Sequence, residues 1–171
     1  EGMHHKIISG DNHIDLTYCP TDLWSSQAPA KWKQLVPRVE ERNDGQHWFC
    51  DNVDRGMWNG VGPGFLPYTK GMFDHIDEMA ALGFEWNSYP GAKRRPTTPE
   101  LRIADLDRDG LDKEFIYGCL MVNDLIDDAE IRNWVNARYN DWALDFAKRS
   151  DPNRVFPLAI IPNTDPKVAA A

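Results

Sequence analysis

Residues 7–24 read IISGDNHIDLTYCPTDLW, and the fold turns on how this stretch is read. A short β-branched run ends in a histidine flanked by aspartates, Asp11-Asn12-His13-Ile14-Asp15, and an acidic, proline-punctuated loop follows. Residues 6–10 are predicted to be a strand, with the polar cluster at its C-terminal end. Alternate residues of a strand share a face, so Asp11 and His13 are expected to project together. Polar groups at the C-terminal ends of parallel strands are where α/β barrels build their sites. A solvated strand end is the plain alternative. Asp15, two residues further on, suits a loop cap better than a ligand.

The rest of the chain repeats a strand-then-helix order. Thr98-Pro99 is a helix start, a capping threonine with proline at the first helical position, and Gly110 is its stop. EFIYGCLMV, residues 114–122, is a near-continuous apolar run, predicting a strand buried on both faces. Asp127-Asp128 open a long helix with Ile131, Trp134, Val135, Arg138, Tyr139, Trp142, Ala143 and Phe146 on one face, an aromatic stripe suited to core packing. RVFPLAIIP, residues 154–162, is a third buried strand, and Asp165-Pro166 starts another helix. Three parallel strands at about 6–11, 114–122 and 155–161 are expected side by side, joined by right-handed crossovers.

Two other segments stand apart. Asn43-Asp44-Gly45 separates alternating arms and predicts a hairpin pairing 38–41 with 46–50. Residues 52–67 are so rich in glycine and aromatics that they read as a long loop, and residues 70–82 as a helix ended by Gly83. His47 is expected to be a hairpin-surface or packed histidine rather than a ligand, His75 to lie off its helix's apolar stripe, and His4 and His5 to lie in the terminal tail.

Composition narrows the function. The chain has 171 residues, 42% of them hydrophobic, enough for one domain with a real core. A net charge of −8 argues against nucleic acid, and Lys93-Arg94-Arg95 is a short solvated cluster. No apolar run approaches a membrane span, so no membrane partner is expected. Three scattered cysteines, Cys19, Cys50 and Cys119, fit reduced thiols and a cytoplasmic setting better than a disulfide framework.

GDNHIDLTYCPTDLW, then the hairpin, then RIADLDRDGLDKEFIYG and RVFPLAIIPNTDP together resemble the amidohydrolase-related metal-dependent hydrolases, the group that includes aminocarboxymuconate-semialdehyde decarboxylase and several aromatic-acid decarboxylases. The resemblance spans nearly the whole chain. Its most specific pieces are Asp11-x-His13 and the 105–110 run DLDRDG. It implies an α/β fold, the N-terminal part of a (β/α)8 barrel with parallel strands and an inserted β-hairpin. Residues 1–171 would form a single incomplete domain of three β/α units, with the hairpin and loop insertion at about 37–97. It implies a hydrolase or non-oxidative decarboxylase acting on a small carboxylic acid, aromatic or conjugated, through a metal-activated water. Asp11 and His13 fall on the metal positions, with a carboxylate where the commoner pattern has a histidine; zinc is the implied metal, and oxygen ligation also admits manganese. Trp24, Trp48, Trp58 and Trp86 would suit a flat acid. Expected partners are that substrate and, at most, further copies of the chain. A full barrel needs about 250 residues, so the remaining ligands and any general acid or base would lie beyond Ala171. The competing reading is non-catalytic: an α/β fragment or partner-binding module with half a metal site.

Overall fold

The computed structural model describes residues 6–14, 16–58, 98–119, 122–162 and 165–170. The expected helix at 70–82, residues 59–67 of the expected loop, Asp15, His75, Trp86, the Lys93-Arg94-Arg95 cluster and the two N-terminal histidines lie outside them. The chain divides into two compact units, one of residues 1–23 with 97–171, the other of residues 24–96.

The first unit is built on a parallel sheet. Strand β1 (Ile8–His13) pairs with β5 (Lys113–Tyr117), and β5 with β6 (Val155–Pro157), giving the order β1-β5-β6. Order and direction match the expectation. Helix α1 (Pro99–Asp109) begins as its sequence predicts: the Thr98 hydroxyl accepts from the Leu101 N–H at 3.3 Å, with Pro99 at the first position. It ends on Gly110, whose φ of +70° lies in the left-handed region, while the Gly110 and Leu111 amides donate back to the Asp107 and Leu106 carbonyls. That paired closure satisfies carbonyls the helix end would otherwise leave bare. A short helix α2 (Val122–Leu125) follows, then α3 (Ala129–Ser150), capped by the Asp128 carboxylate, which accepts from the Glu130 and Ile131 amides. Helix α4 (Pro166–Ala169) is capped by Asp165.

The strands are shorter than their apolar runs. The run at 114–122 is strand only to Tyr117, and Val122 already lies in α2. Gly118 marks the break: a Cβ there would land on the Tyr139 ring, 2.7 Å from Cζ. An apolar run cannot by itself separate a strand from a buried helix start. Nor is β5 buried on both faces. Glu114 and Ile116 are buried, whereas Phe115 is 40% exposed. Strand β6 ends at Pro157; the Leu158 N–H still donates to the Ile116 carbonyl at 2.9 Å, and beyond it the Asn140 side chain accepts from the Ile160 N–H and donates to its carbonyl, both at 2.9 Å. On α3 the buried residues are Ile131, Val135, Asn136, Tyr139, Ala143, Phe146 and Ala147; Trp134 and Trp142 are only half-buried, so the stripe lies slightly around from the aromatic one read in the sequence. Asn136 is accommodated by donating to the Asn123 amide oxygen at 2.8 Å.

The second unit carries an antiparallel sheet of β2 (Arg38–Arg42), β3 (Gly45–Cys50) and β4 (Val53–Met57) in sequence order. The hairpin forms as expected, with Arg42 opposite Gly45 and Asn43-Asp44 as the turn. Strand β4 corrects the loop reading of 52–67 over residues 53–57. Asp51 and Asn52, at φ +54° and +59°, make a tight turn that returns the chain along β3. Two successive positive φ values are what the favoured hairpin turn requires, and Asp and Asn tolerate them better than most residues. Trp24 and Trp48 are fully buried and meet edge to face, ring centroids 6.5 Å apart.

Candidate functional site

The two faces of the parallel sheet differ. Glu114, Ile116 and Val155 are buried on the face that carries the helices. Arg102 of α1 reaches Glu114 with two bonds, Nε to Oε1 at 2.8 Å and Nη2 to Oε2 at 2.5 Å, and the Asn12 side-chain amide donates to Oε2 at 2.5 Å. Three donors on one fully buried carboxylate leave it well satisfied. Asn12 is held in turn by the Ser9 hydroxyl, 2.7 Å from its Oδ1. On the opposite face lie Lys113, Phe115, Tyr117 and Phe156, with Phe115 and Phe156 in ring contact at 5.5 Å and Lys113 Nζ over Phe156.

Asp11 and His13 reach that open face through a register shift. Ser9 pairs with Glu114 and Asn12 with Ile116, so Gly10 and Asp11 together oppose the single residue Phe115. The extra residue reverses the alternation. An unbroken strand in phase with Ser9 would turn Asp11 and His13 toward the helices; after the bulge Asn12 takes that side and the pair faces outward. His13 Nε2 lies 3.4 Å from Asp11 Oδ1, with the side chains 46% and 90% exposed. The His13 ring stacks on Tyr117, its partner in the ladder, at 5.6 Å and 25°. The structure therefore brings the two predicted residues together at the C-terminal end of β1, and adds Tyr117, Asn12 and Glu114 around them.

Those three were missed in the sequence. Tyr117 lies inside an apolar run, and Glu114 opens a buried strand, its one sequence signal being Arg102 twelve residues earlier in a helix.

As a metal site the pair is a partial set. One carboxylate oxygen and one imidazole nitrogen are the donors zinc or manganese accepts, and they are close enough to share an ion. Among the described residues, no group of three or more His, Cys, Asp or Glu side chains gathers around a point. Structural and catalytic zinc sites use three or four protein ligands, so these two alone hold an ion poorly.

Elsewhere, His47 sits in the hairpin rather than in a site: Nδ1 lies 2.9 Å from Asp54 Oδ1 and Nε2 3.1 Å from Asp44. Desolvation works to raise the Asp54 carboxyl, but the Gly56 N–H, the His47 hydrogen bond and the His47 and Arg42 charges outweigh it and hold it below the ordinary range. Burial pushes the Cys50 thiol up to about 12. Trp24 and Trp48 are core residues, closed to a ligand.

A three-stranded parallel sheet with helices on one face and polar residues at its C-terminal edge defines the class: a mixed α/β fold. The solved structure of an amidohydrolase from Mycobacterium avium subsp. paratuberculosis K-10 shares it, with a TM-score of 0.64 and 17% identity, over 98% of this chain. The likeness covers 45% of that protein, so the present chain spans less than half of its length. Neither a family profile nor a curated protein matches the sequence. No helix among the described residues is long and apolar enough to cross a membrane.

Proposed function

We propose that this chain is the N-terminal part of a metal-dependent hydrolase or non-oxidative decarboxylase of amidohydrolase fold, acting on a small carboxylic acid with an aromatic or conjugated body. The observation that carries the proposal is the Asp11–His13 pair, turned by a bulge onto the open face at the C-terminal end of β1. Asp11 and His13 would supply two ligands to zinc, or to manganese given the carboxylate. A cation bound there would acidify a water or polarise a substrate carboxylate. The chain's own residues do the positioning: Tyr117 sets the plane of the His13 ring, while Arg102, Glu114 and Asn12 lock the strand residue between the two ligands. The remaining ligands and the proton-transfer groups would come from later strands. A cytoplasmic setting, a carboxylic substrate and self-association belong to the same proposal.

The test is the gene and its metal. A reading frame that continues past Ala171 through further strand and helix units, and a product that retains about one equivalent of zinc, supports the proposal. His13→Ala in that product should remove metal and activity together while circular dichroism stays unchanged. A frame that closes at Ala171, or a variant that keeps its metal and its rate, overturns the proposal and leaves the non-catalytic reading.

A further inference from the structure

We propose that Cys19 and Cys119 form a redox-active dithiol whose oxidation staples the segment after β1 to the end of β5, beside the Asp11–His13 pair. Their Sγ atoms are 3.6 Å apart, in contact, although the residues are 100 positions apart in sequence. Both are buried, Cys19 completely and Cys119 to 4% exposure, and neither is in a disulfide. Closing the gap to the roughly 2.05 Å of a disulfide asks for a movement of about 1.5 Å.

The position gives the reaction a consequence. Cys119 Sγ donates to the Ile14 carbonyl at 3.3 Å, and the Ile14 amide donates to the Tyr117 carbonyl at 3.1 Å. Ile14 follows His13 directly, and Tyr117 is the residue on which His13 stacks. Oxidation removes the thiol hydrogen, so the Ile14 carbonyl loses that donor while the backbone on both sides becomes cross-linked. The strand end carrying His13 is thereby coupled to the redox state of the pair.

The oxidant is a small disulfide such as oxidised glutathione. Cys119, the more accessible thiol, attacks as thiolate, expels one glutathione thiolate and forms a mixed disulfide. Cys19 then attacks the Cys119 sulfur and expels the second glutathione. One protein disulfide forms, the oxidant's disulfide is reduced, and the two thiol protons pass to the two glutathiones. Burial pushes the Cys50 thiol up to about 12, which makes it a poor nucleophile.

The experiment is oxidation of the folded chain with glutathione disulfide, alkylation, and mass spectrometry of the unreduced digest. Titratable thiols should fall from three to one, and the cross-linked peptide should join Cys19 to Cys119 alone. Dithiothreitol should restore all three thiols. The same treatment in concentrated guanidinium chloride should give a mixture of pairings, which shows that the fold selects the native one. Cys50→Ala should leave the result unchanged, and Cys119→Ala should abolish it. Backbone amide resonances of His13 and Ile14 should shift on oxidation and return on reduction. Three persisting thiols in the folded chain, a mixture matching the denatured one, or arrest at a glutathione adduct on Cys119 would overturn the proposal, and unmoved resonances would overturn the coupling to the strand end. None of these readouts needs bound metal, so the outcome is independent of the enzyme reading.

Discussion

Glu114 shows how much one buried carboxylate can organise. It has no exposed surface, yet it accepts from Arg102 twice and from Asn12 once, linking helix α1, strand β5 and the strand that carries Asp11 and His13. Removing one partner of such a pair strands the other in a medium that solvates charge poorly. Glu114→Gln is expected to lower the unfolding free energy by about 3 kcal/mol, measured by urea denaturation. Replacing Arg102 by methionine should cost a similar amount, and the double variant less than the sum, because each single change leaves an unmatched polar group. At this scale the sequence was legible where the chemistry is local. Asp11 and His13 stand two apart, and Thr98-Pro99 announces a helix, both within a few residues. The Glu114 network was not legible, because Asn12, Arg102 and Glu114 meet only once the sheet has paired. Ile160 is another case: it belongs to an apolar run that continues past β6, and it is buried where Asn140, twenty residues earlier in the chain, holds its backbone.

Elements were predicted best where a stop signal stands in the sequence and least well where an apolar run continues through a break. Gly110 ended α1 as expected, whereas Gly118 inside EFIYGCLMV gave no warning that the strand was over. Its reason lies in the close approach of Tyr139 from α3. Gly118→Ala should therefore destabilise the chain by about 1–3 kcal/mol, and a calorimetric midpoint unchanged from the parent would show that the ring can move aside. In the hairpin sheet, Asp54 has a folded pKa below its ordinary value, so the unfolded state binds the proton more readily. Its contribution to stability is present above about pH 4 and is lost as the pH falls through the folded value. The sheet should weaken on acidification, and Asp54→Asn should show a shallower loss than the parent over the same range, followed by tryptophan fluorescence. Equal slopes would mean that other carboxyls carry the acid sensitivity. Strand β4 escaped the sequence because residues 52–67 look like a single glycine-rich loop. The two positive φ values that make Asp51-Asn52 a turn are a backbone property that Asp and Asn permit but do not announce.

Across the whole molecule, the parallel order β1-β5-β6 was legible because strand, helix, strand is a pattern of long segments with few topological solutions. The asymmetry of the sheet was not, since the apolar runs look alike from either side. The face opposite the helices shows Ile8 at 52%, Phe115 at 40% and Leu158 at 36% exposure. Ile8, Phe115 and Leu158 are thus left uncovered on that face. Large exposed side chains gathered on one face are the condition for association or for uptake of apolar probes. The 171-residue chain should enhance the fluorescence of an apolar dye in its native state, and Phe115→Ser should reduce the signal by about half without lowering the unfolding midpoint by more than a few degrees. A native chain that leaves the dye dark would mean the face is covered.

The bulge in β1 makes the site a matter of parity. One residue more or fewer between Ser9 and Asn12 would leave the motif spelled identically and the sheet still hydrogen-bonded, yet exchange inside for outside, placing Asn12 in the open and driving Asp11 and His13 against Arg102 and Ile116. Two chains could therefore share the letters D-x-H at the same distance from a strand's start and differ completely in whether those letters can meet a solute. For a chain of this kind, a gap of one in an alignment of the first strand carries more information about which side chains meet solvent than the identity of either residue.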